Sequence, residues 1–347
     1  MKIALAQQNY TIGDFKSNKE KIVRCIEQAK SESADLVVFS EQAISGAPAY
    51  DLLNKVTFLE LCEETLEEIA RCCEGISVLV GMPAQCMNKT ISVAALIEDR
   101  KIKRYVGKKT IESRDEMCHI SSSKGCEYIK IRGKKIAVVV GEDIKTEQEY
   151  GEYADLIVNL AHSPYSRGVV EKRYDFYQQL AFMTGKTILY VNSVGGQTDI
   201  VYDGSSAAFN SRGEAIALLK SFEEDFQTVD VDGNETPKKI PEQNKTYNVY
   251  RAIKLGLGDF FAKSGFKTAC LGLSGGIDSA VVLSMAAETL GPENIRVLLM
   301  PSQFSSDHSV EDARELAENL GVEYQIVPIN ETFAALTATL GPVFGEL

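Results

Sequence analysis

The segment KKIAVVVGEDI, residues 134–144, carries the strongest β-strand signal of the N-terminal half. Its apolar core, Ile136 to Val140, is short and bounded by charged residues, a pattern typical of a buried strand. The strand is followed by Gly141, Glu142 and Asp143. Chemistry in α/β proteins collects where such strands end. The sequence therefore predicts a functional site at this position.

Strand and helix patterns alternate along the first two thirds of the chain. A hairpin is predicted where Glu98, Asp99 and Arg100 join two apolar segments. Mixed strands with amphipathic helices outside them predict a layered α/β sandwich. The predicted strands are 2–8, 35–39, 76–82, 90–99, 101–107, 127–131, 135–140, 155–160 and 187–192, and the predicted helices are 17–31, 56–73 and 168–184.

A polar segment separates two domains. Residues 232–245 contain two prolines, six charged residues and a single aliphatic side chain, Ile240, which is typical of a linker. Beyond it the pattern is β-α-β-α-β, which predicts a parallel sheet with right-handed crossovers. We assign residues 1–235 to the first domain, 236–245 to the linker and 246–347 to the second domain.

Composition excludes several classes of partner. The 347 residues carry a formal net charge of −12, which argues against nucleic acid or an anionic membrane as the main partner. No segment reaches the ~18 consecutive apolar residues of a membrane span, and the N-terminus has no signal-peptide core. We expect a cytoplasmic protein whose eight cysteines are free thiols. The spacing of Cys118, His119 and Cys126 fits no standard zinc pattern.

The segment GLSGGIDSA, residues 272–280, lies between a predicted strand and a predicted helix. Paired glycines let the backbone approach a ligand, two serines offer hydroxyl groups, and the helix start presents free N–H groups. The segment lacks the lysine of the G-x-x-x-x-G-K-[ST] loop. Asp278 beside a polyphosphate suits a Mg²⁺ ligand. The sequence predicts a polyphosphate site, with a plain tight turn as the alternative.

The SGGIDS motif resembles the pyrophosphate-binding motif of the ATP pyrophosphatases. Together with LGPENI, VPINETFAAL and the segment Met300 to Ser306, in which Phe304 replaces a tyrosine, it resembles NAD⁺ synthetase. The resemblance implies that ATP and Mg²⁺ are cofactors and that ATP adenylates deamido-NAD before ammonia attacks, giving NAD⁺, AMP and pyrophosphate. The residues it assigns to ATP are Gly272, Leu273, Ser274, Gly275, Gly276, Ile277, Asp278, which also binds the metal, and Ser279.

Nearly all of residues 1–230 resemble the nitrilase-type amidase domain of glutamine-dependent NAD⁺ synthetases. The resemblance implies a nitrilase-like α-β-β-α sandwich followed by part of a Rossmann-like parallel α/β domain. It places Glu41 as general base and Lys108 as oxyanion stabiliser, with Lys109 as the fallback, and assigns Ser163 to glutamine binding. The chemistry also needs a thiolate nucleophile. The CED segment that supplies it in the family reads here Gly141, Glu142, Asp143.

Two neighbouring departures agree with this loss. IESRDEM replaces the family's LPNY, whose tyrosine helps to hold glutamine, and Val169 stands where the family has a lysine or arginine. We therefore predict no glutamine hydrolysis, with Cys118 and Cys126 considered as substitute nucleophiles but disfavoured. Glu41 and Lys108 have an alternative interpretation as a scaffold ion pair.

The sequences of relatives in this family continue beyond the position of residue 347. The second domain is therefore expected to be incomplete, and the chain alone is expected to make no NAD⁺. Whether it is a fragment or naturally short stays open. The partners expected are deamido-NAD, ATP and glutamine or ammonia, in a homo-oligomer that binds neither nucleic acid nor membrane. The alternatives are a non-catalytic nitrilase-fold scaffold, an ammonia-dependent degenerate homologue, and another ATP-pyrophosphatase amidotransferase, which the MPSQFSS segment disfavours.

Overall fold

The computed structural model of the chain describes residues 1–146, 153–233 and 235–345. It divides into two compact units, Met1–Gly256 and Leu257–Leu347, which are described separately. No helix in the described ranges is long and apolar enough to cross a membrane.

Strands and helices alternate through the first unit, with a 3₁₀ turn at Tyr50–Asn54. The strands are β1 Lys2–Gln7, β2 Leu36–Phe39, β3 Ser77–Cys86, β4 Lys89–Glu98, β5 Lys101–Gly107, β6 Glu127–Ile131, β7 Lys134–Val140, β8 Leu156–Leu160, β9 Thr187–Val191, β10 Val194–Gln197, β11 Ile200–Asp203, β12 Ala207–Phe209, β13 Ala215–Leu218 and β14 Asp225–Asp230. The helices are α1 Phe15–Ser31, α2 Val56–Cys72, α3 Arg114–Met117, α4 Asp143–Thr146, α5 Val169–Thr184 and α6 Lys245–Ser264, of which α6 runs on into the second unit.

Two six-stranded sheets form the centre of the first unit. Their strand orders are β14-β1-β2-β3-β4-β5 and β13-β12-β9-β8-β7-β6. One apolar core lies between the sheets, a second packs α1 and α2 on the first sheet, and a third packs α5 on the second. The predicted nitrilase-like α-β-β-α sandwich is confirmed.

Strand β7 shows why residues 136–140 of the quoted segment are all apolar. Ile136, Val138 and Val140 belong to the core between the sheets, whereas Ala137 and Val139 belong to the core beneath α5. Because both faces are buried, the strand cannot alternate apolar and polar residues. Its parallel neighbour β8 extends the same sheet and brings both carboxyl ends to one edge.

Strands β10 to β14 and the short helices α3 and α4 were not predicted. Strand β14, DFQTVD, pairs antiparallel with β1 at the edge of the first sheet and keeps most of its residues only half-buried. An edge strand of this kind has no long apolar run, so periodicity does not reveal it.

The second unit contains one parallel sheet in the order β15-β16-β17. Its core is formed by residues such as Leu283, Val297 and Ala317. The predicted β-α-β-α-β order is confirmed, and a further helix follows it. The elements that lie in this unit or begin it are β15 Ala269–Gly272, α7 Ile277–Leu290, β16 Ile295–Leu299, α8 Asp307–Leu320, β17 Glu323–Ile326 and α9 Asn330–Phe344.

Candidate functional site

The ends of three strands bring together the three positions that the sequence singles out in the first unit. Glu41 lies two residues beyond β2, Lys108 directly follows β5, and Gly141 directly follows β7. The Glu41 and Lys108 side chains are each only 2% exposed, and Lys108 Nζ lies 3.2 Å from Glu41 Oε1. The fold thus assembles the predicted base and the predicted oxyanion stabiliser around the predicted nucleophile position.

Two further glutamates complete this cluster. Glu116 approaches from α3, with its Oε1 2.9 Å from Lys108 Nζ, and Glu142 approaches from the other side, with its Oε2 at 2.7 Å. No sequence motif assigns a role to Glu116. It lies within the IESRDEM segment, whose departure from the family pattern hid it. One ammonium group therefore faces three carboxylates.

Burial and mutual charge set the protonation of the cluster. Burial, with smaller contributions from Glu116 and Glu142, raises the pKa of Glu41 to about 7 against the lowering effect of Lys108. Burial by itself would lower the pKa of Lys108, but the three carboxylates outweigh it and the pKa is raised. Lys108 therefore remains an ammonium ion, and Glu41 is poised to take or release a proton near neutral pH.

Gly141 lies directly against this ion pair. Its φ is +57°, and a Cβ atom placed on it would lie 2.7 Å from Glu41 Oε2 and 2.9 Å from Lys108 Nζ. Real Cβ atoms essentially never come within 3.0 Å of another group. The Gly141 N–H donates to the carbonyl of Leu160 at 2.8 Å, and its carbonyl accepts from Asn159 Nδ2 at 3.3 Å. The backbone is held in place, and the space that a side chain would need is occupied.

Neither cysteine considered as a substitute nucleophile lines the cavity over this cluster. Cys118 is exposed, and its thiol donates to the carbonyl of Arg114. Cys126 lies only partly buried, and its thiol donates to the carbonyl of Glu127. Within the described ranges, no cluster of three or more histidine, cysteine, aspartate or glutamate side chains could hold a metal ion.

Asp143 explains why Lys108 rather than Lys109 enters the site. Its carboxylate accepts the backbone N–H of Lys109 at 2.9 Å and that of Thr110 at 2.5 Å. This clamp ties the segment after β5 to the segment after β7. Lys109 thereby contributes its backbone, and the preceding lysine turns into the cluster.

A cavity of about 500 Å³ opens over the cluster. Ser163 and Val169 lie in its wall together with Glu41 and Lys108. The Ser163 hydroxyl accepts from Arg173 Nη2 at 3.1 Å, and the Arg173 guanidinium is itself paired with the buried carboxylate of Asp203. The residue predicted to bind glutamine thus lies at the cavity, where its hydroxyl is already engaged.

The predicted phosphate site of the second unit lies between β15 and α7. Gly276 precedes α7 and provides no side-chain cap for the helix N-terminus. The Ser274 and Ser279 hydroxyls lie 3.0 Å apart, and Ser274 Oγ accepts from the Gly276 N–H at 3.3 Å. At Gly275, with φ +74°, a Cβ would lie 2.1 Å from the Ser309 carbonyl. The eight assigned residues therefore form one continuous turn with an exposed helix start.

This turn suits a phosphate group and its metal. Exposed N–H groups at a helix start and two hydroxyls are donors for phosphate oxygens. Asp278, in the first turn of α7, is the single carboxylate among the assigned residues. One protein carboxylate is enough for Mg²⁺, which usually keeps several waters and binds substrate phosphates.

Two family models match the chain, one in each of its two parts. The model described as carbon-nitrogen hydrolase matches residues 2–238, and the model described as NAD synthase matches residues 249–344. The first of these covers more than half of the chain.

Relatives match the whole chain. The glutamine-dependent NAD(+) synthetase of Synechocystis sp. is 37% identical over 99% of this chain and 67% of its own length. The enzyme of the same name from Thermotoga maritima is 32% identical over 99% of this chain and 68% of its own length. The chain thus spans about two thirds of the length of these relatives.

Solved structures of other proteins also match the chain. The glutamine-dependent NAD+ synthetase from Acinetobacter baumannii, in complex with ADP, matches with a TM-score of 0.92 at 30% identity, covering 99% of this chain and 68% of that one. An amidase from Nesterenkonia sp. AN1, modified by acrylamide at its active site cysteine, matches 66% of this chain and 92% of its own with a TM-score of 0.60. At 20% identity the amidase supports the fold alone.

Proposed function

Because this chain belongs to the glutamine-dependent NAD(+) synthetase family, we propose that it takes part in the ATP-dependent amidation of deamido-NAD without hydrolysing glutamine itself. The products are NAD⁺, AMP and pyrophosphate. The observation that supports this proposal most directly is the bare backbone of Gly141 against Glu41 and Lys108, in a chain that retains the phosphate turn. The comparisons favour this function over the alternative of a non-catalytic scaffold.

In the proposed reaction the second unit holds the phosphates of ATP. Gly272 to Ser279 provide backbone N–H groups and two hydroxyls, and Asp278 would hold Mg²⁺. The metal supplies charge neutralisation for the phosphate groups. The turn is fixed before ligand arrives, because the Ser279 hydroxyl donates to the Gly276 carbonyl at 3.0 Å. A preorganised set of donors stabilises the charge that develops on departing pyrophosphate.

In the first unit, hydrolysis of a carboxamide lacks its first step. A buried carboxylate near neutral pKa could accept a proton from a thiol, and Lys108 could stabilise an oxyanion. Position 141 offers no thiol, and the ends of the Glu41 and Lys108 side chains lie where its Cβ atom would be. The nitrogen for amidation therefore comes from ammonia rather than from this unit.

Calorimetry with ATP and Mg²⁺ tests the second unit. Ser274→Ala should weaken binding by about 1.5 to 3 kcal/mol, the worth of a hydrogen bond to a charged group. Asp278→Asn should lose most of the Mg²⁺ dependence and keep the fold, because Asp278 is exposed. The exposed Asp312→Asn on α8 is the matched control and should bind like wild type. Equal binding by wild type, Ser274→Ala and Asp278→Asn would contradict the assignment.

A further inference from the structure

The cavity over Glu41 and Lys108 is lined by more carboxylates than lysines. Two lysines, Lys108 and Lys145, lie in its wall. Five carboxylates line the same space of about 500 Å³, a formal excess of three negative charges: Glu41, Glu112, Asp115, Glu116 and Glu142. A concave acidic surface with apolar walls focuses its field and attracts cations.

The two lysines are already engaged. Lys108 Nζ lies within 3.2 Å of three glutamates, and Lys145 Nζ lies 2.8 Å from Glu112 Oε2. Val169, at the start of α5, also lies in the cavity wall and carries no charge. Among the described lining residues, a ligand carboxylate would thus meet no lysine or arginine that lacks an acidic neighbour. An amino acid substrate would bring such a carboxylate, so the cavity disfavours it.

Gln42 gives an independent sign of what the cavity accepts. Its side chain lies in the cavity wall and the residue is 5% exposed. Its Oε1 has no hydrogen-bond partner among the described residues. A buried carbonyl oxygen without a donor costs free energy, which a ligand N–H can recover. At Gln42 the cavity wall therefore holds an acceptor that lacks a donor.

We propose that this cavity binds a small primary amine in its ammonium form. The ammonium head would donate to Gln42 Oε1 and balance the excess of carboxylates. A short aliphatic chain would lie against the aromatic walls of Tyr50 and Tyr202. This inference concerns the first unit alone and does not depend on the function proposed for the second.

Three ligands with the same carbon chain and different head groups test the charge preference. n-Butylamine, n-butanol and butyrate are titrated into the whole chain, with binding followed by ligand-observed NMR and calorimetry. The cavity should bind n-butylamine with a dissociation constant on the order of millimolar, as expected for a ligand of this size. It should bind n-butanol and butyrate at least tenfold more weakly. Binding of n-butylamine no tighter than that of n-butanol would overturn the proposal, as would tighter binding of glutamine.

Substitutions in the wall locate the site. Val169→Lys adds a cation and should weaken n-butylamine binding roughly tenfold, whereas Val169→Met adds similar length without charge and should change it little. Asp115→Asn, at an exposed position, should weaken binding about threefold. Equal effects of Val169→Lys and Val169→Met, in variants with unchanged thermal midpoints, would overturn the assignment.

A pH series on the unmodified chain remains decisive if a variant fails to fold. Glu41 faces Lys108, Glu116 and Glu142, and it carries more negative charge as pH rises through about 7. An alkylammonium stays protonated over this range, so n-butylamine should bind several-fold more tightly at pH 8 than at pH 6. Weaker binding at pH 8 would overturn the proposal.

Discussion

At Gly141 the backbone adopts φ +57°, a conformation that costs most other residues about 1–2 kcal/mol. The Glu41 and Lys108 side chains fill the position that a Cβ would take. Restoring the family's cysteine must therefore strain the backbone and displace a buried ion pair. We expect Gly141→Cys to lower the free energy of unfolding by about 1–3 kcal/mol and to release no glutamate from glutamine. Urea unfolding and a coupled glutamate assay measure the two effects.

The matched control is Gly141→Ala, which adds the same Cβ without the thiol. The two variants should lose similar stability, because the Cβ atom causes the clash. Rapid glutamate release by Gly141→Cys that disappears in Gly141→Cys/Glu41→Gln would contradict the argument. It would show that the catalytic geometry survives intact.

Glu41 makes stability depend on pH. Its pKa is raised from 4.5 to about 7 in the folded chain, first by burial and then by Glu116 and Glu142, with Lys108 opposing. Between these values the folded state holds a proton that the unfolded state has released. The contribution of Glu41 is therefore present below pH 4.5 and is lost as pH rises to about 7.

Glu41→Gln should remove this loss. The stability difference of the first unit between pH 5 and pH 7.5 should shrink by an amount on the order of 1–3 kcal/mol, measured by urea unfolding at both pH values. Glu60→Gln, at an exposed position on α2, is the control and should leave the difference as it is in wild type. A difference that stays unchanged in Glu41→Gln would show that Glu41 does not take up this proton.

Sequence reasoning could locate Glu41, Lys108 and Gly141, because each follows a recognisable strand and matches a family segment. It could not locate Glu116, whose carboxylate meets Lys108 only because α3 folds back over the site. It also could not show that Glu41 and Lys108 close over Gly141, since these contacts join segments about 30 to 100 residues apart in the sequence.

The turn between β15 and α7 is held by tertiary packing at Gly275. With φ +74° and the Ser309 carbonyl 2.1 Å from a Cβ built there, this position requires glycine. We expect Gly275→Ala to shift the turn away from α8 and to weaken ATP·Mg²⁺ binding at least tenfold, as measured by calorimetry. The physical cause is a forced displacement of backbone donors, on which phosphate binding depends.

Gly276→Ala is the matched control for this element. Gly276 has φ −88°, and a Cβ there would meet Ser274 Oγ at 3.3 Å, a contact that a small rotation relieves. Its effect should be several-fold smaller than that of Gly275→Ala. A larger loss in Gly276→Ala would mean that the backbone N–H groups at the helix start outweigh the packing against α8.

Long apolar runs were predictable as strands, whereas the short strands β12 and β13 and the polar strand β14 were not. Strand β7 is a continuous apolar run because both of its faces are buried. Strand β14 depends on a partner elsewhere in the chain, because it pairs with β1, more than 200 residues away. Pairing over such distances leaves no local periodicity to detect.

At the scale of the whole chain, the predicted homo-oligomer and the predicted domain limits stay predictions. Two compact units and two family matches nevertheless agree that an amidase-type half and a synthetase-type half are joined in one chain. The halves differ in what they retain. The synthetase-type half keeps the turn proposed to bind phosphate, whereas the amidase-type half keeps Glu41 and Lys108 around a glycine.

This difference predicts the source of nitrogen. Loss of a nucleophile alone costs on the order of a million-fold in a serine hydrolase. The family resemblance implies that Val169 and the missing tyrosine weaken glutamine binding as well. Any NAD⁺ that the chain forms from deamido-NAD, ATP and Mg²⁺ should therefore depend on added ammonium and not on glutamine.

The measurement compares NAD⁺ and AMP formation with each nitrogen source, with glutamate release followed separately so that a slow ligase step does not hide glutamine hydrolysis. The Synechocystis relative, assayed alongside, should use glutamine, as its name states. Glutamine-supported NAD⁺ formation by this chain at a rate similar to that with ammonium, together with glutamate release, would show that another group performs the attack that position 141 cannot.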